Sequence, residues 1–374
     1  MTSIDATELG KRLRLAREQA GLTQAGAASS AQLSRTTLVA VEQGKRSVSE
    51  PELIALTDLY GISLNQLLRK DAIHVDLVPR FRKLGDADQG LSQAIGTLND
   101  FVTAEVELER ILGVERNSNL PPERPLLPGN VRKQAELDAH ELRQRLGLSQ
   151  NPIRDIFSLL ELDLGIRVYT HPLKNNVSGL FAFDDAVGAC ILVNASHRYD
   201  RQVQTCTHEL GHAIGTRRQP DVCHDSFRQN SRDERYATAF APAFLMPGHT
   251  LAQKLKEIRA GSTRLTRRHV IILASYFGVS REAIVRRMED LNLVPDGTWD
   301  WFARNGGITD QQVAEVLGED VSTPRLKPLN SMVRLETLAA QALERDLLSE
   351  GQIAQLLKLD RFKVRRLRLE SEEV

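Results

Sequence analysis

The stretch 204–215, QTCTHELGHAIG, sets His208 and His212 four positions apart with Glu209 beside the first. On a helix, residues i and i+4 share a face, so both imidazoles can turn a ring nitrogen to one ion while Glu209 stands one step round. Two histidines leave such an ion short of ligands, because a catalytic zinc takes a third protein ligand and keeps its last position for water. Downstream, NSRDERYATAFAPAFLMP (230–247) offers Asp233 and Glu234 at the start of another helix. Bound zinc brings the pKa of its water to about 7, and Glu209 is placed to take the proton and hand it to a leaving amine. The plainer alternative is a solvated helix face with a paired His and Glu. Against it, Leu210, Ala213 and Ile214 make the rest of the helix a core element, and Gly211 marks a point of close backbone approach.

Upstream of the motif, GIRVYT (165–170), VSGLFAFDD (177–185) and GACILVN (188–194) are short, rich in Val, Ile and aromatics, and separated by Gly and Asp turns, which predicts a small sheet. Two helices are expected before it, over 130–148 and 151–165, the second with Pro152 in its first turn. The pattern after the motif is helical to the C-terminus. NSNLPPERPLLPG (117–129) carries four prolines between 121 and 128 and predicts a stiff extended linker and a domain boundary. Before it, Leu98, Phe101, Val102, Glu105, Leu108 and Leu112 form a broken helical stripe.

The N-terminal region has a different logic. In LTQAGAASSAQLSRTTLVAVEQGKR (22–46), Thr23 caps a short helix opened by Gln24, a tight turn follows, and Ser34 caps a second helix that Gly44 ends. This is the layout of a helix-turn-helix, with the second helix turned to base edges and Gln24, Lys45 and Arg46 reaching phosphates. Lys11, Arg12, Arg14 and Arg17 cluster on the preceding helix and add local positive charge. The plainer alternative here is a small helical bundle mediating protein contacts. Two later segments, 267–291 and 347–370, have the same outline; the second, with Arg361, Lys363, Arg365, Arg366 and Arg368, reads as a solvated basic helix. No repeat of fixed period is expected.

Residues 8–70 resemble the XRE (Cro/repressor-like) DNA-binding family, which implies Ser34, Arg35, Thr36 and Thr37 at the reading end, Arg35 to Thr37 being the base-reading candidates. Gln32 occupies the turn position usually held by Gly, and Gly26 with Ala27 leaves the first motif helix thinly packed. Residues 131–310 resemble the ImmA/IrrE family of zinc metallopeptidases in ILVN ahead of HELGH, in DERYATAFAPAFLMP and in GTWDWF. That resemblance implies His208, His212 and Glu234 as ligands of one zinc per chain and Glu209 as general base, with Asp233 as the alternative third ligand. Tyr236 and Thr238 depart from the family's usual acidic or amide residue and Asn.

The expected fold is therefore mainly α with a small β-sheet (α+β): an all-α helix-turn-helix domain over 1–70, a helical connector and linker over 71–130, a zincin-like HExxH metallopeptidase domain over 131–320, and a helical C-terminal extension over 321–374. Among 374 residues, 41% hydrophobic and 26% charged, no apolar run approaches a membrane span of roughly 18 residues and the N-terminus lacks a secretory core, so a cytoplasmic protein is expected. Three cysteines without a CxxC pair argue against a disulfide framework. Cys206, Cys223 or His224 invites a redox role near the metal, and Tyr199, Tyr236 or His197 an oxyanion role. Net charge is zero, so nucleic-acid binding must rest on a local patch. Together these features predict a DNA-binding transcriptional regulator, a homodimer on operator DNA, whose zinc endopeptidase cleaves a repressor, itself or a partner, in a stress, DNA-damage or mobile-element response. The alternatives are a non-catalytic regulator that senses a metal or small ligand, and a general peptidase.

Overall fold

Short hydroxyl side chains set the helix starts of the N-terminal unit, Met1–His74. After α1 (Ala6–Gln19), Thr23 accepts a hydrogen bond from Gly26 N at 3.1 Å and opens α2 (Gln24–Ser30). Ser34 accepts from Thr37 N at 3.0 Å and opens α3 (Arg35–Glu42). Between them the chain turns through Gln32 at φ 55°, the left-handed conformation that the family's usual Gly adopts without strain. α4 (Glu50–Tyr60) starts with a capping box of Ser49 and Glu52, and α5 (Leu64–Leu68) follows. Leu13, Ala27, Leu38, Leu56 and Leu67 meet in the core. Two of the four cations expected on the outside of α1 are inside. Arg17 Nε reaches Glu42 Oε1 at 2.6 Å, and Arg12 Nη1 donates to the Leu67 carbonyl at 3.0 Å. A core built on alanines is thin, and these long stems cross-tie it while their heads find acceptors.

The structure is a computed structural model describing residues 5–62, 64–68, 77, 81, 89–174, 177–219, 221–224, 231–262, 264–318 and 332–372. The larger unit, Val75–Val374, is built on one four-stranded sheet of order β1-β3-β2-β4: β1 (Arg167–His171), β2 (Val177–Asp184), β3 (Gly188–Asn194) and β4 (Asp221–His224). β1 runs parallel to β3, and β2 is antiparallel to β3 and β4. The three expected strands are present; β4 carries too little apolar pattern to have been expected. Its helices are α6 (Gln89–Leu112), α7 (Val131–Arg145), α8 (Tyr199–Gly215), α9 (Arg232–Leu245), α10 (Gly248–Arg259), α11 (Arg267–Phe277), α12 (Arg281–Asp290), α13 (Thr298–Arg304), α14 (Asp310–Leu317), α15 (Val333–Glu344), α16 (Glu350–Leu357) and α17 (Arg361–Glu372). No described helix is long and apolar enough to cross a membrane.

Strand alternation sends side chains to two covered faces. Phe181, Ile191 and Val193 join a core with Val203, Leu210 and Phe240 of α8 and α9, and this core continues into α11 and α12 through Ile271, Phe277 and Met288. The helix-turn-helix outline at 267–291 is thus a buried structural element. Leu180, Cys190 and Leu192 point the other way, onto Leu98, Val102 and Leu108 of α6 and onto Leu335 and Leu338 of α15. Burial on both sides explains why the strands read as nearly continuous apolar runs.

Two expectations are corrected. The helix expected over 151–165 begins only at Ile156, because Asp155 Oδ1 accepts from Phe157 N at 3.0 Å and fixes the start there; Leu159–Asp163 then forms a π-helical turn. The proline-rich segment, expected to be a linker, lies within the larger unit as a strap. It is held through carbonyls and amides alike: Arg217 Nη2 donates to Pro121 O at 2.6 Å, Gln134 Nε2 to Pro125 O at 3.1 Å and Arg232 to Leu127 O, while Asn119 N donates to Leu164 O at 3.1 Å and Arg124 N to Ile214 O at 2.8 Å.

Beneath α6 lies a buried ionic cluster of Glu105, Glu109 and Glu161 with Arg116, Arg167 and Arg334. Glu161 is the poorly served member. Burial, and then Glu105, push its carboxyl from the usual 4.5 up to about 7, against the pull of Arg116 and Arg334. A folded pKa above the unfolded one means that stability from this group is greatest below about pH 4.5 and is lost as the pH climbs to about 7. Glu161→Gln is therefore expected to stabilise the protein at pH 8 by up to about 3 kcal/mol, with the gain vanishing near pH 4.5. Denaturant midpoints at the two pH values check this, and an equal change at both would refute it.

Candidate metal centre and nucleic-acid interface

Three glycines let the metal-bearing elements close up. A Cβ on Gly211 of α8 would stand 2.9 Å from Ala237 Cα of α9, and one on Gly215 would meet the Tyr236 ring at 2.5 Å. A Cβ on Gly179 of β2 would meet Thr205 Cγ2 at 2.6 Å and Glu209 Oε1 at 3.2 Å, so the bare backbone leaves room for the fully buried Glu209 carboxylate.

This packing carries Glu234, in the first turn of α9, to the histidines. Ser231 caps that helix, accepting from Glu234 N at 3.1 Å. His208 Nε2 and His212 Nε2 are 3.3 Å apart, Glu234 Oε1 lies 3.2 Å from His212 Nε2, and Glu234 Oε2 lies 3.6 Å from His208 Nε2. Ligands about 2.0–2.1 Å from a tetrahedral ion stand about 3.3 Å from one another, so the spacing of these atoms fits one zinc. His212 Nδ1 is 2.9 Å from Thr216 Oγ1, a contact that orients the ring and turns Nε2 to the cluster. Among the described residues these three side chains form the group that could hold a metal ion, and Asp233 is not part of it.

Tyr236, the departure from the family pattern, is structural. Its hydroxyl donates to Asp138 Oδ2 at 2.9 Å, and Asp138 also holds Arg124 of the strap at 2.9 Å. Burial and Asp138 raise the phenol's pKa, and its one O–H is already committed to Asp138 rather than free for an oxyanion. The Tyr199 phenol is pushed up to about 12, chiefly by burial. Cys206 is fully buried and its thiol is held well above its usual range by burial and Glu209, so it is inert as a nucleophile. Sequence reasoning missed Thr216, Gly179 and Asp138. Thr216 alone left a local signal, sitting one helical turn after His212.

In the N-terminal unit, Arg35 and Thr36 are exposed at the start of α3 with Thr37 half-buried behind them. Ser34 is committed to its cap and lies 2.8 Å from both threonine hydroxyls. Lys45 and Arg46 are exposed past the end of α3. Arg46 Nη2 is held by Glu52 Oε1 at 2.9 Å, and Gln24 Nε2 donates to Glu42 Oε2 at 2.8 Å. Arg46 and Gln24 therefore reach a phosphate only by exchanging a carboxylate for it or by using their remaining donors.

Residues 162–289 match the family described as IrrE N-terminal-like domain (Peptidase_M78), and residues 8–69 match the family described as helix-turn-helix domain. Over 65 residues the chain is 38% identical to the HTH-type transcriptional regulator ImmR of Bacillus subtilis (strain 168), a match covering 17% of this chain and 51% of that protein. The chain thus spans about half the length of the curated relative it matches. The crystal structure of ComR from Streptococcus suis aligns over 96% of this chain and 95% of that one at 11% identity, with a TM-score of 0.17, too low to carry a likeness of fold.

Proposed function

We propose that this chain, an XRE-type helix-turn-helix domain joined to an IrrE-like domain, is a DNA-binding transcriptional regulator with a zinc-dependent endopeptidase that cleaves a repressor. The convergence of His208, His212 and Glu234 beside a buried Glu209 carries the catalytic half of this reading. The helix-turn-helix match and the likeness to a transcriptional regulator support the other half. As one such module reads only a few base pairs, operator half-sites would be read by a homodimer. A stress, DNA-damage or mobile-element signal would set when cleavage occurs.

Zinc, when bound, would polarise the scissile carbonyl and acidify a water molecule. Glu209 would act as general base toward water at the site and as proton donor to the leaving amine, and its burial would keep bulk water from competing for it. Thr216 holds His212 in the orientation that turns Nε2 toward His208 and Glu234, the residues that would hold the ion with it. β4 is an outer strand, and an extended substrate adding to its edge gains backbone hydrogen bonds beside the metal helix. The hydrogen-bonded strap is a poor substrate in place, which favours a partner repressor over self-cleavage.

Elemental analysis of the purified chain tests the metal centre. About one zinc per chain is expected in the wild type and close to none in His212→Ala, since second and third ligands alone hold the ion weakly. Absence of metal in the wild type after zinc reconstitution would favour a non-catalytic regulator instead.

A further inference from the structure

The C-terminal helices repeat the architecture of the N-terminal DNA-reading unit. Ser349, Lys358 and Asp360 stand to one another in sequence as Thr23, Gln32 and Ser34 do. Ser349 caps α16 as Thr23 caps α2. Lys358 makes the left-handed turn at φ 53° where Gln32 makes it at φ 55°. Asp360 Oδ1 accepts from Lys363 N at 2.9 Å and so caps α17 as Ser34 caps α3. The same register puts Ile353 where Ala27 is and Val364 where Leu38 is, all four fully buried. α15 packs against both helices, and α1 packs against α3 of the first pair. A fixed-period search misses this because the shared feature is the spacing of caps and core positions, and few side chains are identical.

The equivalence places Arg361, Phe362 and Lys363 at the positions of Arg35, Thr36 and Thr37. All three are exposed, Phe362 to 82%, and Arg365 and Arg366 are exposed further along the helix. The charge order of α17 opposes its dipole. Cations crowd the N-terminal half, where the helix is already positive, and Glu370 and Glu372 follow at the end. A helix under selection for stability alone would have the reverse order; an anionic partner at its N-terminal end removes the conflict. The nearby acids are weak competitors, because the Arg365–Glu350 pair at 3.0 Å and the Lys363–Asp360 pair at 4.0 Å lie in solvent and exchange readily for phosphates.

We infer that α16 and α17 form a second helix-turn-helix that binds double-stranded DNA, with α17 entering the major groove. A membrane surface would need a broad apolar face, yet Val364 and Leu367 of α17 turn into the core, and among the described side chains of that helix Phe362 is the one large apolar group outside. A single exposed ring among cations suits the groove, where it can lie against a thymine methyl. The inference rests on reading the N-terminal unit as a DNA-binding helix-turn-helix and is independent of the metal centre.

The test is fluorescence anisotropy of the full chain on a labelled random-sequence duplex over a range of KCl concentrations. Arg361→Glu with Lys363→Glu is expected to lower affinity about tenfold or more and to reduce the salt slope by about 2, the share of two phosphate contacts. Because glutamates suit a helix N-terminus, the fold should be kept, and an Arg361→Gln, Lys363→Gln pair with unchanged circular dichroism guards against misfolding. The same substitutions in an Arg35→Ala, Lys45→Ala background separate the two units: the background reports the N-terminal reading and the added change reports this one. Unchanged affinity and slope in both backgrounds would overturn the inference, as would a loss confined to anionic phospholipid vesicles.

Discussion

Glu209→Gln should lower the rate of repressor cleavage by about 10²- to 10⁴-fold, the usual contribution of a positioned general base. Zinc content and operator affinity should stay at wild-type levels. The substitution is nearly isosteric, so the amide fits the space that Gly179 leaves beside Thr205, and it removes a charge from a fully buried position. His208, His212 and Glu234 are untouched, and the N-terminal unit is separate from the larger one in its internal packing. Three readings of the same variant therefore carry the argument: a cleavage assay on purified repressor with zinc supplied, metal analysis, and reporter derepression in cells. If derepression proceeds normally while the general base is gone, proteolysis is not the signal. The IrrE-like domain would then act as a sensor of metal or ligand.

The histidine pair of the candidate group was legible because its logic is local: His208 and His212 share a helix face by spacing alone, whereas the residues left Asp233 and Glu234 open in the first turn of the next helix and only the family resemblance pointed to Glu234. Thr216 follows the same rule and was available to a reader who carried the helix one turn further. The strap was misread for the opposite reason. Prolines announce an extended backbone, but what holds it is Arg217 and Arg232, about a hundred residues away in sequence. Arg12 and Arg17 were read by charge when position mattered more. Arg17 lies four residues after Leu13, on the core side of α1, and its partner Glu42 comes from another helix. The outline of the C-terminal helix pair was visible in the sequence of 347–370, whereas its equivalence to the N-terminal pair emerged only with the Ser349 and Asp360 caps, the left-handed turn at Lys358 and the burial of Val364.

Arg167→Met should destabilise the larger unit by about 3–5 kcal/mol, the cost of leaving a buried ion without its partner. Arg167 is 3% exposed, and its guanidinium is fully used. Nε donates to Val187 O at 3.0 Å, Nη1 lies 2.8 Å from Glu105 Oε1, and Nη2 lies 2.8 Å from Glu109 Oε2. Tyr169 donates to the other Glu105 oxygen at 2.7 Å, and Arg334 of α15 reaches Glu109 at 3.0 Å. The cluster thus joins α6, β1 and the first C-terminal helix. At pH 8, above the raised Glu161 pKa of about 7, three arginines face three carboxylates, and removing one arginine leaves an excess negative charge at a buried position. Both tryptophans, Trp299 and Trp301, belong to the larger unit, so fluorescence-detected denaturation reports its unfolding without contribution from the N-terminal helices. Adding Glu109→Gln to Arg167→Met restores the charge balance and should recover part of the loss, because the penalty arises from the uncompensated carboxylate more than from the missing attraction. If the double variant is instead destabilised by the sum of the two single changes, the cluster acts through independent contacts, and α15 is held to the sheet by its apolar face alone.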